Sequence, residues 1–497
     1  MTAHLPVLQV VLPLMAAPLC VVIRQLTLVR LFSLVVTGTA FLISATLLYQ
    51  VNTAGPISYA IGNWPAPYGI EYRIDLLNAV LLFIISLIGF LVLIYSKNSI
   101  AREITQNRLY LFHSLYLLCM TGLLGMVITG DVFNLFVFLE ITALSSYALI
   151  AMGGGRLGNP QALYAAFRYL ILGTLGGTFY IIGVGLMYMM TGALNMADLA
   201  RLLPSVFDTT TIQAALGFLV VGITLKMALF PLHMWQAAAY ARAPSTVSSF
   251  LAATATKVAV YVQLRMIFTV FGQIPLFRDT PLDEILIVLA LSSMIIGSLS
   301  AVYQKDMRRM LAFSSLAQIG YIVLGIGLNN ATALSASIVH LFNHALMKSA
   351  LFMALGAVFM STHSVKRGAM RGLGRNMPIT MAAFVVAGLS LIGVPLTSGF
   401  ISKWLLVQGA LESGMWPVAL MILVSSLLSI IYIWKVVEAA YFKKPKRALP
   451  KARDPGPTMW VPMWILAAAS IWFGVDAGTT VGIANKVAET LLGGVPQ

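Results

Sequence analysis

LKMALFPLHMW (225–235) sets a lysine, a proline and a histidine inside an apolar run, 212–239. A spanning helix needs about 20 mostly apolar residues, so the run reads as a membrane helix. Pro231 stands five residues after Lys226 and two before His233, and proline removes a backbone hydrogen bond. Freed backbone at membrane depth is tolerated where it lines a cavity or packs on protein. A plain proline kink would look the same, but it would not explain the adjacent lysine. A second stretch, LIGVPLTSGFISKW (391–404), repeats the theme, with Pro395, Thr397, Ser398 and Gly399 ahead of Lys403. Its apolar region, 378–411, is too long for one untilted span. Interrupted helices in corresponding halves of a chain are the sequence pointer to an ion site in transporters.

Working outward, fourteen runs qualify as spans: 5–23, 31–51, 76–95, 109–129, 132–152, 162–190, 212–239, 247–271, 285–303, 310–328, 332–360, 378–411, 417–442 and 456–475. The predicted fold is an all-α polytopic membrane protein with about 14 transmembrane helices. Membrane β-strands would instead read as ~10-residue alternating segments. Of the 497 residues, 59% are apolar and 9% charged. Soluble domains carry roughly 25% charged residues. A cytosolic enzyme, a disordered chain and a nucleic-acid-binding module are excluded. Cys20 and Cys119 lie in apolar runs and imply neither a disulfide framework nor a thiolate metal site. The start, MTAHLPVLQVV, has no basic segment ahead of its apolar stretch and reads as a retained helix.

Loop charges test the span count. Loops after odd-numbered helices hold 20 Lys/Arg and 3 acids, whereas even loops and termini hold 4 Lys/Arg and 11 acids. A missed helix would scramble this alternation. By the positive-inside rule the odd loops are cytoplasmic and both termini face outward across a cell membrane. The net charge of +15 is therefore mostly an orientation signal. Its strongest elements are Lys366, Arg367, Arg371 and Arg375, then Lys443, Lys444, Lys446, Arg447, Lys451 and Arg453. The second group also has the composition of an anionic-lipid contact.

Nine ionisable groups other than histidine remain inside the spans. Arg168, Arg265, Lys435 and Glu438 lie near helix ends, where long basic side chains snorkel. Lys435 and Glu438 stand at i, i+3 and suggest a local pair. Glu140, Lys226, Lys257, Lys348 and Lys403 lie deeper. A charge at mid-membrane costs at least ~2.5–3.5 kcal/mol. Interhelical salt bridges alone leave four cations against one anion. Desolvation favours the neutral amine, so some of these lysines can gain and lose a proton.

Helix 11 adds HLFNHALMK, with His340, His344 and Lys348 at i, i+4 and i+8 on one face. Imidazole both donates and accepts near neutral pH, so three titratable groups in line read as a proton wire. A metal site at His340 and His344 would lack a nearby carboxylate or thiol. Ser314, Ser315, Gln318 and Tyr321 on helix 10 are polar neighbours suited to holding water. His113, alone in helix 4, reads as packing. Helix 7 is fourth in the block of helices 4–8, and helix 12 is fourth in the block 9–13. Five helices is an odd number, so tandem copies would be inverted repeats. The implied organisation is a three-helix segment 1–108, a first repeat 109–271, a second repeat 285–442, and a basic loop with the last helix in 443–497.

The stretches GDVFNLFVFLEITALSSYALI (130–150), LKMALFPLHMWQAAAYARAPSTVSSFLAATATK (225–257), DMRRMLAFSSLAQIGY (306–321), HLFNHALMKSALF (340–352) and GVPLTSGFISKW (393–404) carry a resemblance. Together they resemble the proton-translocating antiporter-like subunits of complex I, membrane-bound hydrogenases and Mrp cation/proton antiporters. IGNWPAPYGIEYRIDLLNA (61–79) is similar to the D-type branch of the Mrp antiporter subunits. The resemblance implies that Glu140 pairs with Lys226 and that Lys257 is a connecting lysine. It further implies that His344 and Lys348 form the relay of helix 11 and that Lys403 is the terminal group. His340 and His233 are added as candidates from their positions. The implied partners are the other subunits of a hetero-oligomeric Mrp antiporter (A, B, C, E, F and G types), the lipid bilayer, H+ and Na+. No cofactor, metal or nucleic acid is expected. A proton-pumping subunit of a complex I-like or hydrogenase-like redox assembly is the competing reading. A standalone solute carrier finds no support beyond the broken helices.

Overall fold

The computed structural model describes residues 4–154, 160–444 and 452–493. Lys446, Arg447 and Lys451 of the basic loop lie outside the described residues. The continuous spans are helix 1 (Leu5–Ile23), helix 2 (Leu26–Ala54), helix 3 (Leu76–Glu103), helix 4 (Leu109–Ile128), helix 5 (Val132–Ala151) and helix 6 (Pro160–Thr191). They continue with helix 8 (Ser245–Arg265), helix 9 (Leu282–Val302), helix 10 (Met307–Gly327), helix 11 (Ala331–Thr362), helix 13 (Trp416–Val437) and helix 14 (Pro457–Val475). Helix 7 is split into Thr210–Met227 and Gln236–Arg242, and helix 12 into Pro378–Ile392 and Ser398–Glu412.

Thirteen helices among the described residues are long and apolar enough to cross a membrane, the first half of helix 7 included. The fourteenth expected span, 378–411, is the pair of shorter helices that form helix 12. Helix 7 ends at Met227, before Pro231 is reached, because Ala228 turns left-handed at φ 61°. Helix 12 breaks between Gly393 (φ 89°) and Leu396 (φ 70°). Helices 8, 10 and 11 are almost wholly enclosed, whereas helices 1, 2, 6, 9, 13 and 14 present large apolar areas outward. Helix 4 is as enclosed as helix 11, and helices 8, 10 and 11 carry Lys257, Gln318, His340, His344 and Lys348.

Contacts among loops sort into two ends of the bundle. At one end the loops after helices 2, 4 and 6 meet, through a hairpin of β1 (Ile57–Ala60) and β2 (Glu71–Ile74) and bridges Tyr72–Thr129 and Asp131–Asn195. At the other, basic end, Asp306 bridges Lys366, and Arg453 N–H donates to Ser361 Oγ at 3.3 Å. A 15-residue helix, Gly478–Leu492, follows helix 14 and packs on helix 11. Its short amphipathic pattern lay below the threshold for a span.

Three expectations need correction. Lys435 and Glu438 do not pair. Lys435 Nζ donates to Val302 O at 2.8 Å, and Glu438 meets Lys443 at 2.9 Å and Arg367 at 3.3 Å. Neighbouring segments supply better-placed partners than the helix itself does. Arg265 does not snorkel; it is buried against Asp75 at 2.6 Å. Glu103 and Arg308, read as loop charges, are helical, buried and 3.7 Å apart.

Candidate functional site

Helix 5 and the first half of helix 7 bring Glu140 and Lys226 together, with Nζ 3.9 Å from Oε1. That separation is an ion contact longer than a hydrogen bond. Glu140 Oε1 accepts no hydrogen bond among the described residues. Helix 6 makes the room. A Cβ on Gly177 would lie 2.3 Å from Glu140 Oε1, and one on Gly176 would lie 3.4 Å from Lys226 Cγ. Beside Lys226 a cavity of about 40 Å³ is lined by Thr142, Tyr169, Tyr180 and Gly222. It has room for roughly two waters.

Lys226 stands in the last turn of its half-helix, yet it does not cap the break. Trp235 Nε1 does, donating to Leu225 O at 3.0 Å. Helix 12 is arranged differently. Lys403 Nζ itself donates to Leu391 O (3.0 Å), Ile392 O (2.9 Å) and Ser426 Oγ (2.9 Å). The first two are carbonyls at the end of the broken half-helix. Three acceptors match the three protons of an ammonium. Its Nζ also lies 4.7 Å from the centre of the Tyr321 ring, within cation–π range.

Helix 11 carries the middle of the set. His340 Nδ1 lies 2.7 Å from Ser402 Oγ, and Nε2 lies 2.9 Å from Gln318 Oε1. Facing a carbonyl oxygen, Nε2 is the donor. Ser402 Oγ also reaches Gly399 O at 3.2 Å. The hydroxyl can therefore donate to a neutral ring, or turn its proton to Gly399 and accept from a protonated one. The triad accommodates both charge states of His340 without moving a heavy atom. His344 stacks on His340 at 6.0 Å between ring centroids, and neither of its ring nitrogens has a partner among the described residues. Lys348 Nζ donates to Leu311 O at 2.8 Å and Ser314 Oγ at 2.5 Å.

Lys257 is buried on helix 8, which packs against helix 11, and its Nζ donates to Ala252 O of its own helix. No hydrogen bond or ion pair among the described residues links Lys226 to Lys257, or Lys257 to His344. His233 stacks on Phe230 at 5.6 Å and joins none of the other candidates. Of the helix 10 residues read as water holders, Ser314 and Gln318 bond Lys348 and His340 directly. Ser315 bonds back to Leu311 O at 3.1 Å, and Tyr321 reaches Ile422 O at 3.3 Å. His113 is fully buried beside Phe112 and packs as expected.

Sequence reading missed two polar sites at helix ends. Glu103 accepts from Ser245 N at 3.0 Å, so it caps helix 8 from 142 positions away, while Arg308 reaches Ser245 Oγ at 2.5 Å. At the other end Arg265 Nε donates to Tyr261 OH at 2.9 Å and the guanidinium pairs with Asp75. Glu71, Asp75 and Arg265 line a cavity of about 390 Å³ there. The Glu103–Arg308 partners lie 205 positions apart and those of Arg265–Asp75 lie 190 apart, so no local spacing announces either pair.

The family described as NADH:quinone oxidoreductase/Mrp antiporter, TM, matches residues 129–429. The chain belongs to that family. The N-type subunit of the NADH-quinone oxidoreductase of Desulforudis audaxviator is 42% identical over 463 residues, 92% of this chain and 90% of that one. The D-type subunit of the Na(+)/H(+) antiporter of Alkalihalophilus pseudofirmus is 30% identical over 451 residues, covering 91% and 89%. Among solved structures, a chain of the Mrp complex from Dietzia sp. DQ12-45-1b superposes with a TM-score of 0.90 at 25% identity, covering 99% of this chain and 97% of that one. A chain of the membrane-bound sulfane sulfur reductase, an archaeal respiratory membrane complex, also gives 0.90, at 31% identity and 98% coverage of both.

Proposed function

We propose that this chain is the proton-translocating subunit of a multisubunit monovalent cation (Na+)/H+ antiporter, with Mrp-type subunits as partners. The observation that carries the reading is the Lys226–Glu140 contact at the break in helix 7. When Glu140 is close, the charged form of Lys226 is favoured; when the pair opens, Lys226 gives up its proton. The proton passes to Lys257, then along helix 11 through Lys348, His344 and His340, which meets Ser402 at 2.7 Å, and leaves by Lys403. Ordered water completes the steps that side chains do not span. Replacing Glu140 or Lys226 by Ala abolishes cation-driven proton movement in everted vesicles while the complex still assembles. Normal antiport with either change overturns the assignment.

The chain sits in the cytoplasmic membrane with the basic end of the bundle inside and both termini outside, as loop charge suggests. Cys20 and Cys119 are buried, so an added cysteine reports alone. An impermeant maleimide labels Ser205→Cys in whole cells and Gly368→Cys only in everted vesicles; the reverse pattern inverts the topology. Helices 4–8 and 9–13 are read as inverted copies, because each block has its fourth helix broken beside a lysine. Superposition of one block on the inverted other tests this.

The 42% identity to a redox-complex subunit favours a second reading, a proton-pumping subunit of a complex I-like assembly. The co-purifying subunits decide: antiporter chains support the first reading, and Fe–S proteins the second.

A further inference from the structure

At the basic end of the bundle a cavity of about 570 Å³ lies between the ends of helices 3, 11 and 14. Three separate segments bring a basic side chain to it. Arg102 stands in the last turn of helix 3, His363 ends helix 11, and Arg453 lies on the approach to helix 14. Arg102 is pinned at the rim, because Nη1 donates to Met360 O at 2.8 Å. That bond uses one donor of a five-donor fork.

Asp454, the acid lining the cavity, is committed elsewhere. Its carboxylate accepts from Ile379 N (3.0 Å), Thr380 N (2.9 Å) and Thr380 Oγ1 (2.7 Å), at the start of helix 12. The N-cap of 19-residue helix 14 is Gly456, which lines the cavity and offers no side-chain cap to the first-turn N–H groups. Helix N-termini favour negative charge. Ala357, Met360 and Met459 add apolar wall. Trp464 is half-buried nearby and donates to Ile379 O at 3.1 Å, as interfacial tryptophans do.

We propose that this cavity binds the phosphate of an anionic phospholipid headgroup from the adjoining leaflet. Arginine forks recognise phosphate oxygens, and basic pockets between membrane helices hold anionic headgroups. A free phosphate would satisfy the charge but not the apolar wall at the level of the membrane boundary.

The test uses the assembled complex, delipidated in detergent and reloaded with phosphatidylglycerol, phosphatidylcholine or inorganic phosphate, with bound lipid read by native mass spectrometry. Phosphatidylglycerol is retained, phosphatidylcholine is not, and millimolar phosphate does not displace the lipid. Arg102→Gln with Arg453→Gln lowers phosphatidylglycerol retention about tenfold, while Arg309→Gln, on the same face outside the cavity, leaves it unchanged. Should the double variant fail to assemble, Arg453→Gln alone lowers retention, because its hydrogen bond to Ser361 comes from the backbone and survives. Equal retention by the variants overturns the site. Equal retention of phosphatidylcholine overturns recognition of charge, and displacement by phosphate overturns the lipid in favour of a free anion.

Discussion

Gly177 determines where the carboxylate of Glu140 can lie. A methyl group there would meet Oε1 at 2.3 Å, so Gly177→Ala must push the carboxylate off its present line to Lys226. Misplacing a reacting group by about 1 Å can cost up to about 100-fold in rate. Gly177→Ala is therefore expected to lower antiport at least about tenfold with the complex still assembled. Gly185 on the same helix has nothing within 4 Å of an added Cβ, and Gly185→Ala leaves transport intact. Equal vesicle activity for the two variants would remove Gly177 from the site. The ionisable residues themselves were legible, because a lysine or glutamate inside an apolar run carries a cost that demands a reason. The glycines were not, since forty of them punctuate the chain and only the packing singles out this one.

The two broken helices solve one problem in different ways. In helix 7 an indole caps the exposed carbonyl end, which leaves Lys226 to face Glu140. In helix 12 the lysine is itself the cap, so Lys403 has a structural duty besides any transport role. Lys403→Met leaves Leu391 O without a donor, at roughly 1–3 kcal/mol, and leaves Ile392 O only Ser426 Oγ at 3.3 Å. Thermal unfolding of the complex in detergent should show a marked loss for Lys403→Met and a smaller one for Lys403→Arg, which keeps donors in reach. Similar melting for the two variants would mean the carbonyls find other partners. Both breaks were legible from a proline beside a lysine. Their difference was not, because it depends on where Trp235 and Lys403 point after the chain has turned. The expected Lys435–Glu438 pair failed for a related reason: i, i+3 spacing makes a contact possible, and the closer Lys443 and Arg367 make another one better.

Across the whole molecule, the alternation of loop charge matched the count of spans but hid what some of those charges do. Glu103 and Arg308 belong to loops that the sequence marks as orientation signals, yet both are buried where helices 3, 8 and 10 converge. Glu103 supplies the acceptor for the first turn of helix 8, and Arg308 holds Ser245 Oγ beside it while its guanidinium lies 4.6 Å from the centre of the Phe359 ring on helix 11. The pair thus ties the N-terminal segment to both halves of the chain at one end of the helix that carries Lys257. Removing one partner of a buried ion pair leaves an uncompensated charge and typically costs about 3–5 kcal/mol. Arg308→Met should therefore sharply reduce assembled complex recovered from membranes. Glu103→Gln combined with Arg308→Met should restore much of it, since the glutamine carbonyl can still accept from Ser245 N and no charge is stranded. The comparison separates a structural tie from an orientation signal. If the arginine acts only through the positive-inside rule, the double variant fares no better than Arg308→Met alone. Recovery in the double variant, read as complex per cell by blue-native electrophoresis, assigns the loss to the broken pair.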